Sequence, residues 1–402
     1  MRPDRPRIQV LSPRTWGEFG NYLAATRFSR VLRGAVDADV TLLEAEPILP
    51  WLGEAGAEIR TISLESPTAA VRTERYMGLM ARLQKRFPTG FETDPTPAHA
   101  AELAPLIAHL REGAPDVVVG TKGFVARLCV AAVRLAGLPT RVVSHVTNPG
   151  LLRLPLHRSP HPDLTLVGFA WAKEELVRAG ADPDRVSVVG PLVAQHDLRD
   201  FMTDESAAPA SGTWGGDTES GRPRLIVFCN RGGDVYLELV HHIAAQHPET
   251  DLVFVGYDDP ELARRAAAGA ERLAHWRFHS RLTQAEYFDY IDRASRSPYG
   301  LLVSKAGPNT TLEAAYFGIP VLMLESGLPM EQWVPGLIHE HNLGRACATP
   351  EEIFRTVDDW LARPSAIEVH KKAAIGFAES VLDQEAVARR IGDAMRPLLD
   401  PR

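Results

Sequence analysis

The chain has 402 residues, 45% of them apolar and 24% charged, with a formal net charge of −7. That is ordinary composition for two or three packed domains. The acidic balance argues against unspecific nucleic-acid binding and gives no overall pull toward an anionic membrane. Cys129, Cys229 and Cys347 lie far apart in apolar contexts and read as reduced core thiols, with no CxxC metal or redox spacing. The opening residues, MRPDRPRIQVLSP, contain no apolar stretch of signal-peptide length, and nowhere are there about 18 uninterrupted apolar residues. A cytoplasmic location is the expectation.

Ile8 to Leu11 reads as a short strand, Ser12 to Gly20 (SPRTWGEFG) as a loop, and Tyr22 to Leu32 as a helix. At the start of a parallel sheet this order puts Gly17, Glu18 and Gly20, with Trp16 and Phe19 beside them, at the carboxyl edge, where open α/β sheets bind ligands. Val40 to Leu43 and Glu58 to Ile62 read as further strands. Thr68 to Phe87 is amphipathic: Val71, Met77, Met80, Leu83 and Phe87 form one face, and Arg72, Arg75, Arg82, Lys85 and Arg86 crowd the rest. Such a helix either packs with a solvated basic face or makes weak peripheral contact with an anionic bilayer through residues 68–87.

Helices over Ala98 to Arg111 and 123–136 flank a buried strand, Asp116 to Val119, that ends in Gly120, Thr121 and Lys122. After the strand Arg141 to Ser144, the residues His145, Val146, Thr147 and Asn148 stand at a strand end on the same edge as Glu18. His145 joins Glu18 as a candidate base. Leu164 to Gly168, a helix from Trp171 to Ala179 and Val186 to Val189 complete this half. Asp197 to Arg222 then loses all periodicity and fills with Ser, Gly, Pro, Thr and acids, so 197–222 is expected to be a flexible linker.

The second half opens with a strand, Arg224 to Phe228, followed by Asn230, Arg231, Gly232 and Gly233 leading into a helix. The helix N-terminus and Arg231 give that loop positive potential. Asp251 to Val255, His275 to His279 and Leu301 to Val303 are strands. Ser304, Lys305, Ala306 and Gly307 form a turn, Pro308 suits a first helical turn, and Asn309 or Ser304 could cap it, with Thr310 alongside. Leu312, Ala315 and Tyr316 give this helix one inward face, Gly318 ends it, and Val321 to Leu324 is the next strand. Free amides, small residues and one lysine at a helix N-terminus suit a phosphate, and Glu313 one turn deeper can accept hydrogen bonds from sugar hydroxyls. Helices near 351–362, 365–381 and Gln384 to Leu399 close the chain. HExxH, P-loop and GxSxG motifs are absent, and no acidic run has metal-ligand spacing, so neither a metal nor another cofactor is expected.

The run SKAGPNTTLEAAYFGIPVLML followed by PMEQW resembles the donor-binding segment of GT-B glycosyltransferases of family 28, the branch of MurG and the diacylglycerol glycosyltransferases. The resemblance is strong over residues 224–348 and looser over 115–192. It implies an α/β protein of two Rossmann-like parallel-sheet domains facing across a cleft. Residues 1–196 would take the acceptor, 223–383 the nucleotide sugar, and 384–402 would cross back to the first domain. Ser304 to Gly307, with Asn309 and Thr310, would then hold the diphosphate, helped by Asn230, Arg231, Gly232 and Gly233. Glu313 would bind ribose, Glu331 and Gln332 the donor sugar, and the loop from His279 to Leu282 the nucleobase. Trp16, Gly17, Phe19, Thr147 and Asn148 fall to the acceptor.

Where the family has a GGTGGH or GGGH loop, this chain carries Glu18, so Glu18 or His145 would serve as the one base of an inverting displacement. The reaction implied is metal-independent transfer from a nucleotide-diphosphate donor, a UDP-sugar, to a small natural-product acceptor such as an aglycone, nucleobase or aminocyclitol. Its rivals are a membrane-lipid acceptor, a sugar-nucleotide epimerase, and a non-catalytic donor-binding subunit. Assembly as a homodimer is left open.

Overall fold

A computed structural model describes residues 5–16, 20–66, 69–193, 222–229, 233–256, 260–270, 275–280, 282 and 284–400. They divide into two compact units, the first running to Val193 and including Leu328–Met330 and the chain from Leu382, the second holding the rest. The expected linker lies outside the described residues apart from Arg222.

The first unit follows the order β1 (Arg7–Ser12), α1 (Gly20–Ala35), β2 (Asp39–Glu44), α2 (Pro50–Glu65), α3 (Ala69–Arg86), α4 (Pro97–Gly113), β3 (Val117–Gly120), α5 (Gly123–Ala136), β4 (Arg141–Val146), β5 (Leu164–Val167), α6 (Ala170–Arg178) and β6 (Val186–Val188). Its six strands form a parallel sheet in the order β2-β1-β3-β4-β5-β6. A parallel sheet covered on both faces needs continuous apolar strands, and VVVG in β3 and LTLV in β5 are buried throughout. Alternate side chains serve opposite faces. Val117 and Val119 pack with Ile8, Val10 and Phe28, whereas Val118 packs with Leu11 and Phe124.

The second unit runs β7 (Arg224–Phe228), α7 (Gly233–Gln246), β8 (Asp251–Val255), α8 (Pro260–Ala270), β9 (Trp276–His279), α9 (Gln284–Arg296), β10 (Gly300–Lys305), α10 (Pro308–Tyr316), β11 (Val321–Leu324), α11 (Val334–Glu340), β12 (Gly344–Cys347), α12 (Pro350–Ala362) and α13 (Pro364–Val381). Its parallel sheet has the order β12-β11-β10-β7-β8-β9. Local chemistry fixes the start of α12. Thr349 accepts from the Glu352 amide at 3.3 Å, and Glu352 reaches back to the Ala348 amide at 2.8 Å.

The last helix, α14 (Gln384–Leu399), belongs to the first unit. Asp383 caps it, accepting from the amides of Glu385 and Ala386, and Val387, Ile391 and Met395 enter the core beside Phe28 and Leu32. Gln384 is buried, accepts from the Val193 amide at 2.9 Å and donates to the Pro191 carbonyl at 3.1 Å. A Cβ on Gly392 would lie 3.1 Å from the Ala35 side chain, so this glycine sets how closely α14 approaches α1.

Several expectations need correction. Glu58 to Ile62 is the end of α2, not a strand. Leu52, Ala55, Ile59 and Ile62 are buried at helical spacing from Pro50 onward, and that stripe overrides the β-branched look of the last few residues. In α3 the inward face is Tyr76, Leu79, Met80 and Leu83, with Phe87 just beyond, and Met77 is exposed. Its basic face is partly matched: Arg82 pairs with Glu58, and Arg86 with Glu102 at 2.7 Å. Strand β12 and helix α11 carried no recognisable apolar run. Cys129, Cys229 and Cys347 are buried and form no disulfide among the described residues, and no helix among those residues is long and apolar enough to cross a membrane.

Among its described residues the first unit carries a fully buried ion pair. Arg127 sits inside the apolar helix α5 and meets Glu92 at 2.9 Å, their side chains 0% and 2% exposed. The guanidinium also donates to the carbonyls of Leu156 at 3.1 Å and Pro88 at 2.7 Å, and Ser159 donates to Glu92 at 3.3 Å. One cation thus ties two loop segments, around Pro88 to Glu92 and at Leu156, to α5. Glu92→Ala should cost about 3 to 5 kcal/mol of this unit's stability, because it strands a buried charge; denaturant titration measures it.

Acid should also weaken this unit. Burial holds His145 near pKa 4 against an ordinary 6.5, and His157, buried beside Lys122 and Arg127, near 3. Both take up a proton freely only when unfolded, so the stabilisation is complete above pH 6.5 and is lost as pH falls toward 4. His145→Phe, which preserves the stack on Phe28, should narrow the gap between denaturant midpoints measured at neutral pH and near pH 4.5, at about 1.4 kcal/mol per pKa unit removed.

Candidate functional site

In the second sheet β7 lies between β10 and β8, so the chain leaves β7 toward one side and returns from β9 to the other. Connections diverging in this way open a crevice at the carboxyl ends, where such sheets bind ligands. Val303 pairs with Val227, and the same register brings Lys305 level with Cys229 at that edge.

Strand β10 continues through Ser304 and Lys305, two residues beyond the expected end. Ser304 is fully buried and Lys305 half-buried. The chain then turns tightly: the Ala306 amide donates to the Leu324 carbonyl at 2.8 Å and the Gly307 amide to the Lys305 carbonyl at 2.7 Å. Helix α10 starts at Pro308 with Gly307 as its N-cap and no side-chain cap, so neither Asn309 nor Ser304 fills the capping role. Thr311 is the first residue whose amide finds a helical acceptor, the Gly307 carbonyl at 3.1 Å. The amides of Asn309 and Thr310 precede it, and with the helix dipole they make an electropositive end.

Two carboxylates meet this turn. Glu331, beyond β11, is buried and accepts from Lys305 Nζ at 2.6 Å through Oε1, while its Oε2 has no hydrogen-bond partner among the described residues. Lys305 is therefore a paired cation. The two residues are 26 positions apart, and nothing in their local sequence links them. Gln332 is exposed, next to the buried Glu331. Glu313 lies in α10, 8% exposed, and its Oε2 accepts from the Tyr287 hydroxyl at 2.8 Å.

Sequence reasoning missed Tyr287. It comes from α9, packs edge-on against Phe228 at 5.2 Å, and fixes one oxygen of Glu313. Tyr236, in the first turn of α7, was also missed. It is 2% exposed, its hydroxyl has no partner among the described residues, and burial with the charges of Cys229 and Glu331 pushes its pKa up. The only signal for either was an aromatic residue near a strand's carboxyl end.

Asn230, Arg231 and Gly232 lie outside the described residues, and Gly233 opens α7. His279 ends the edge strand β9, with Nε2 2.7 Å from the Tyr290 hydroxyl and its carbonyl accepting from the Gly256 amide at 2.8 Å. Burial, the largest influence, lowers its pKa. Leu282 is half-buried.

In the first unit Gly17, Glu18 and Phe19 lie outside the described residues. Trp16 is a core residue, 1% exposed, donating Nε1 to the Leu52 carbonyl at 2.8 Å and stacking on Phe124. His145 is inside β4 rather than in the loop after it. It is 5% exposed and stacked at 4.2 Å on Phe28, with Nδ1 lacking a partner among the described residues. Burial keeps it neutral, and its packing is that of a core side chain. Thr147 donates to the Thr121 carbonyl at 3.2 Å, and Asn148 caps a short 3-10 turn by accepting from the Gly150 amide at 3.0 Å. Among the described residues, no group of three or more His, Cys, Asp or Glu could hold a metal ion.

No protein-family model matches the chain. It is 23% identical over 296 residues, 69% of this chain and 73% of the relative, to the UDP-N-acetylglucosamine–N-acetylmuramyl-(pentapeptide) pyrophosphoryl-undecaprenol N-acetylglucosamine transferase of Thermotoga petrophila. A Listeria monocytogenes protein assigned as a UDP-N-acetylglucosamine 2-epimerase superposes with a TM-score of 0.63 at 15% identity, covering 98% of this chain and 96% of that one. A UDP-glucosyltransferase from Polygonum tinctorium that glucosylates indoxyl superposes with a TM-score of 0.63 at 12% identity over 100% of both chains. The chain has the GT-B glycosyltransferase fold and is a distant homologue of the Thermotoga transferase.

Proposed function

We propose that this protein is a glycosyltransferase that takes its sugar from a UDP-sugar. The observation carrying this reading is the convergence, at one carboxyl edge of the second sheet, of the uncapped start of α10, Glu313 with one oxygen held by Tyr287, and Glu331 with one oxygen open. Each matches a different part of a nucleotide sugar. The amides of Asn309 and Thr310 suit the diphosphate. Glu313 suits ribose hydroxyls, and Glu331 Oε2 a sugar hydroxyl that has a hydrogen to give. Asn230, Arg231, Gly232 and Gly233 are assigned to the diphosphate, and His279 and Leu282 to the base. Uridine is chosen because each of the three relatives is named for a UDP-sugar.

In the reaction the acceptor oxygen loses its proton to a base and bonds to the anomeric carbon from the face opposite the diphosphate. The bond from that carbon to the diphosphate oxygen breaks, and the electron pair leaves with UDP, so the configuration inverts. Fixed backbone dipoles at α10 stabilise the charge that develops on the leaving group. The acceptor is assigned to the first unit, where Thr147 and Asn148 follow β4. A small hydroxylated compound is favoured over a lipid, because Arg82 and Arg86 of the basic helix α3 already have carboxylate partners within that unit. An epimerase is the second reading, on the strength of the Listeria likeness. Incubation with UDP-N-acetylglucosamine alone separates the two: an epimerase changes the sugar without an acceptor, whereas a transferase releases UDP only when an acceptor hydroxyl is supplied.

UDP at 100 times its dissociation constant should stabilise the protein by about 2.7 kcal/mol in a thermal-shift assay. No shift with UDP or any other nucleoside diphosphate would end the donor-site reading. Glu313→Ala should weaken UDP binding by about 1 to 3 kcal/mol in calorimetry, since a charge-assisted hydrogen bond is lost. Glu331→Gln should leave UDP affinity within a factor of about two but weaken UDP-sugar binding, at about 1.4 kcal/mol for each tenfold loss.

A further inference from the structure

Helix α9 begins beyond the carboxyl end of β9 and packs against β7 and β10 before the chain enters β10. Because the sheet is parallel, the opening turn of this helix lies at the carboxyl edge. Tyr290, Ile291 and Ala294 are buried along the helix, and Tyr287 stands one turn before the first two on the same stripe. Its ring meets Phe228, the last residue of β7, edge-on at 5.2 Å, and Phe288 at 5.1 Å. Its hydroxyl donates to Glu313 Oε2 at 2.8 Å, so β7, α9 and α10 meet at one phenol.

Glu313 is 8% exposed, and a carboxylate buried to that degree needs hydrogen bonds to stay charged. A glutamate side chain also has several rotatable bonds, whose freedom is lost when the carboxylate grips a ligand. With Oε2 anchored to a phenol that neighbouring rings hold in turn, much of that freedom is already gone in the folded protein. A ligand hydroxyl then meets a carboxylate that needs little further ordering.

Resting on the donor-site reading above, we propose that Tyr287 is the positioning residue that makes the second unit selective for ribonucleoside diphosphates over their deoxy counterparts. It acts through Glu313: the phenol fixes the carboxylate, and the carboxylate receives a ribose hydroxyl. A ring that served packing alone would support the site equally for every nucleotide, because the base and the diphosphate are taken by other groups. A phenol that works through Glu313 matters only while the ligand has a hydroxyl to give.

The test is a thermodynamic cycle on the full chain. Tyr287→Phe keeps the ring that packs on Phe228 and Phe288 and removes one oxygen. In calorimetry the wild type should bind UDP at least about tenfold more tightly than 2′-deoxy-UDP or 3′-deoxy-UDP, whichever lacks the hydroxyl that Glu313 receives. Tyr287→Phe should lose about fivefold for UDP yet stay within about twofold for that analogue, and in the Glu313→Ala background it should alter UDP affinity by less than about twofold. Equal losses for UDP and both analogues would assign Tyr287 to packing and overturn the proposal. So would undiminished UDP affinity in Tyr287→Phe, or a wild type indifferent to both hydroxyls. A second measurement needs no variant of Tyr287: the 13Cζ-tyrosine resonance that moves in Glu313→Gln should move further when the wild type binds UDP than when it binds the analogue, and equal responses overturn the proposal. A wild type that binds UDP without this coupling removes the proposal alone. One that binds no nucleoside diphosphate removes the donor-site reading and the proposal with it.

Discussion

The order of strands constrains everything else in this protein. In each sheet the chain works outward from a central strand on one side and then starts again on the other, so the loops after two neighbouring strands part company at their carboxyl ends. No helix can cover that divide, and polar main chain is left facing it. The second unit places the start of α10 and three acidic or phenolic side chains there, and the first places Lys122 and Glu46. Each unit also puts a lysine just where the inner strands end: Lys305 on β10, Lys122 after β3.

The two lysines are treated differently by their surroundings. Lys305 has a carboxylate at 2.6 Å and stays part of an ion pair. Lys122, among the described residues, has a carbonyl and an indole face in contact; burial lowers its pKa, and Glu46 opposes the fall. Close pairing favours the charged amine, whereas burial without a contacting carboxylate favours the neutral one. The same residue type at comparable places in two similar sheets thus has different surroundings in each. Arg127 extends the comparison. A guanidinium does not give up its proton, so its burial requires Glu92 and two carbonyls.

Much of this was legible in the sequence, for a physical reason. Strands buried on both faces are written as short, nearly unbroken apolar runs, and VVVG, LTLV and RLIVF stand out accordingly. The turn around Gly307 announced itself through Pro308 at the first helical position and the small residues before it. What could not be read were relations between distant residues. The salt bridge of Lys305 to Glu331 spans 26 positions and the contact of Tyr287 to Glu313 also 26, and neither leaves a local trace. His145 and Trp16 looked like edge residues because a sequence places them within a residue or two of a strand end. Two extra ladder rungs in β4 and one indole turned toward Leu52 were enough to send both into the core. Helix α2 was misjudged at its end because β-branched residues there outweighed a helical stripe that begins at Leu52.

The placement of α14 bears on how the protein is made. The 16 residues from Gln384 to Leu399 complete a core whose other members all precede Val193. A nascent chain leaving the ribosome therefore carries the first unit with its Phe28 and Leu32 surface open until residues 384–399 have emerged. Arrival of the α14 segment, rather than completion of the first sheet, is the event that seals that half.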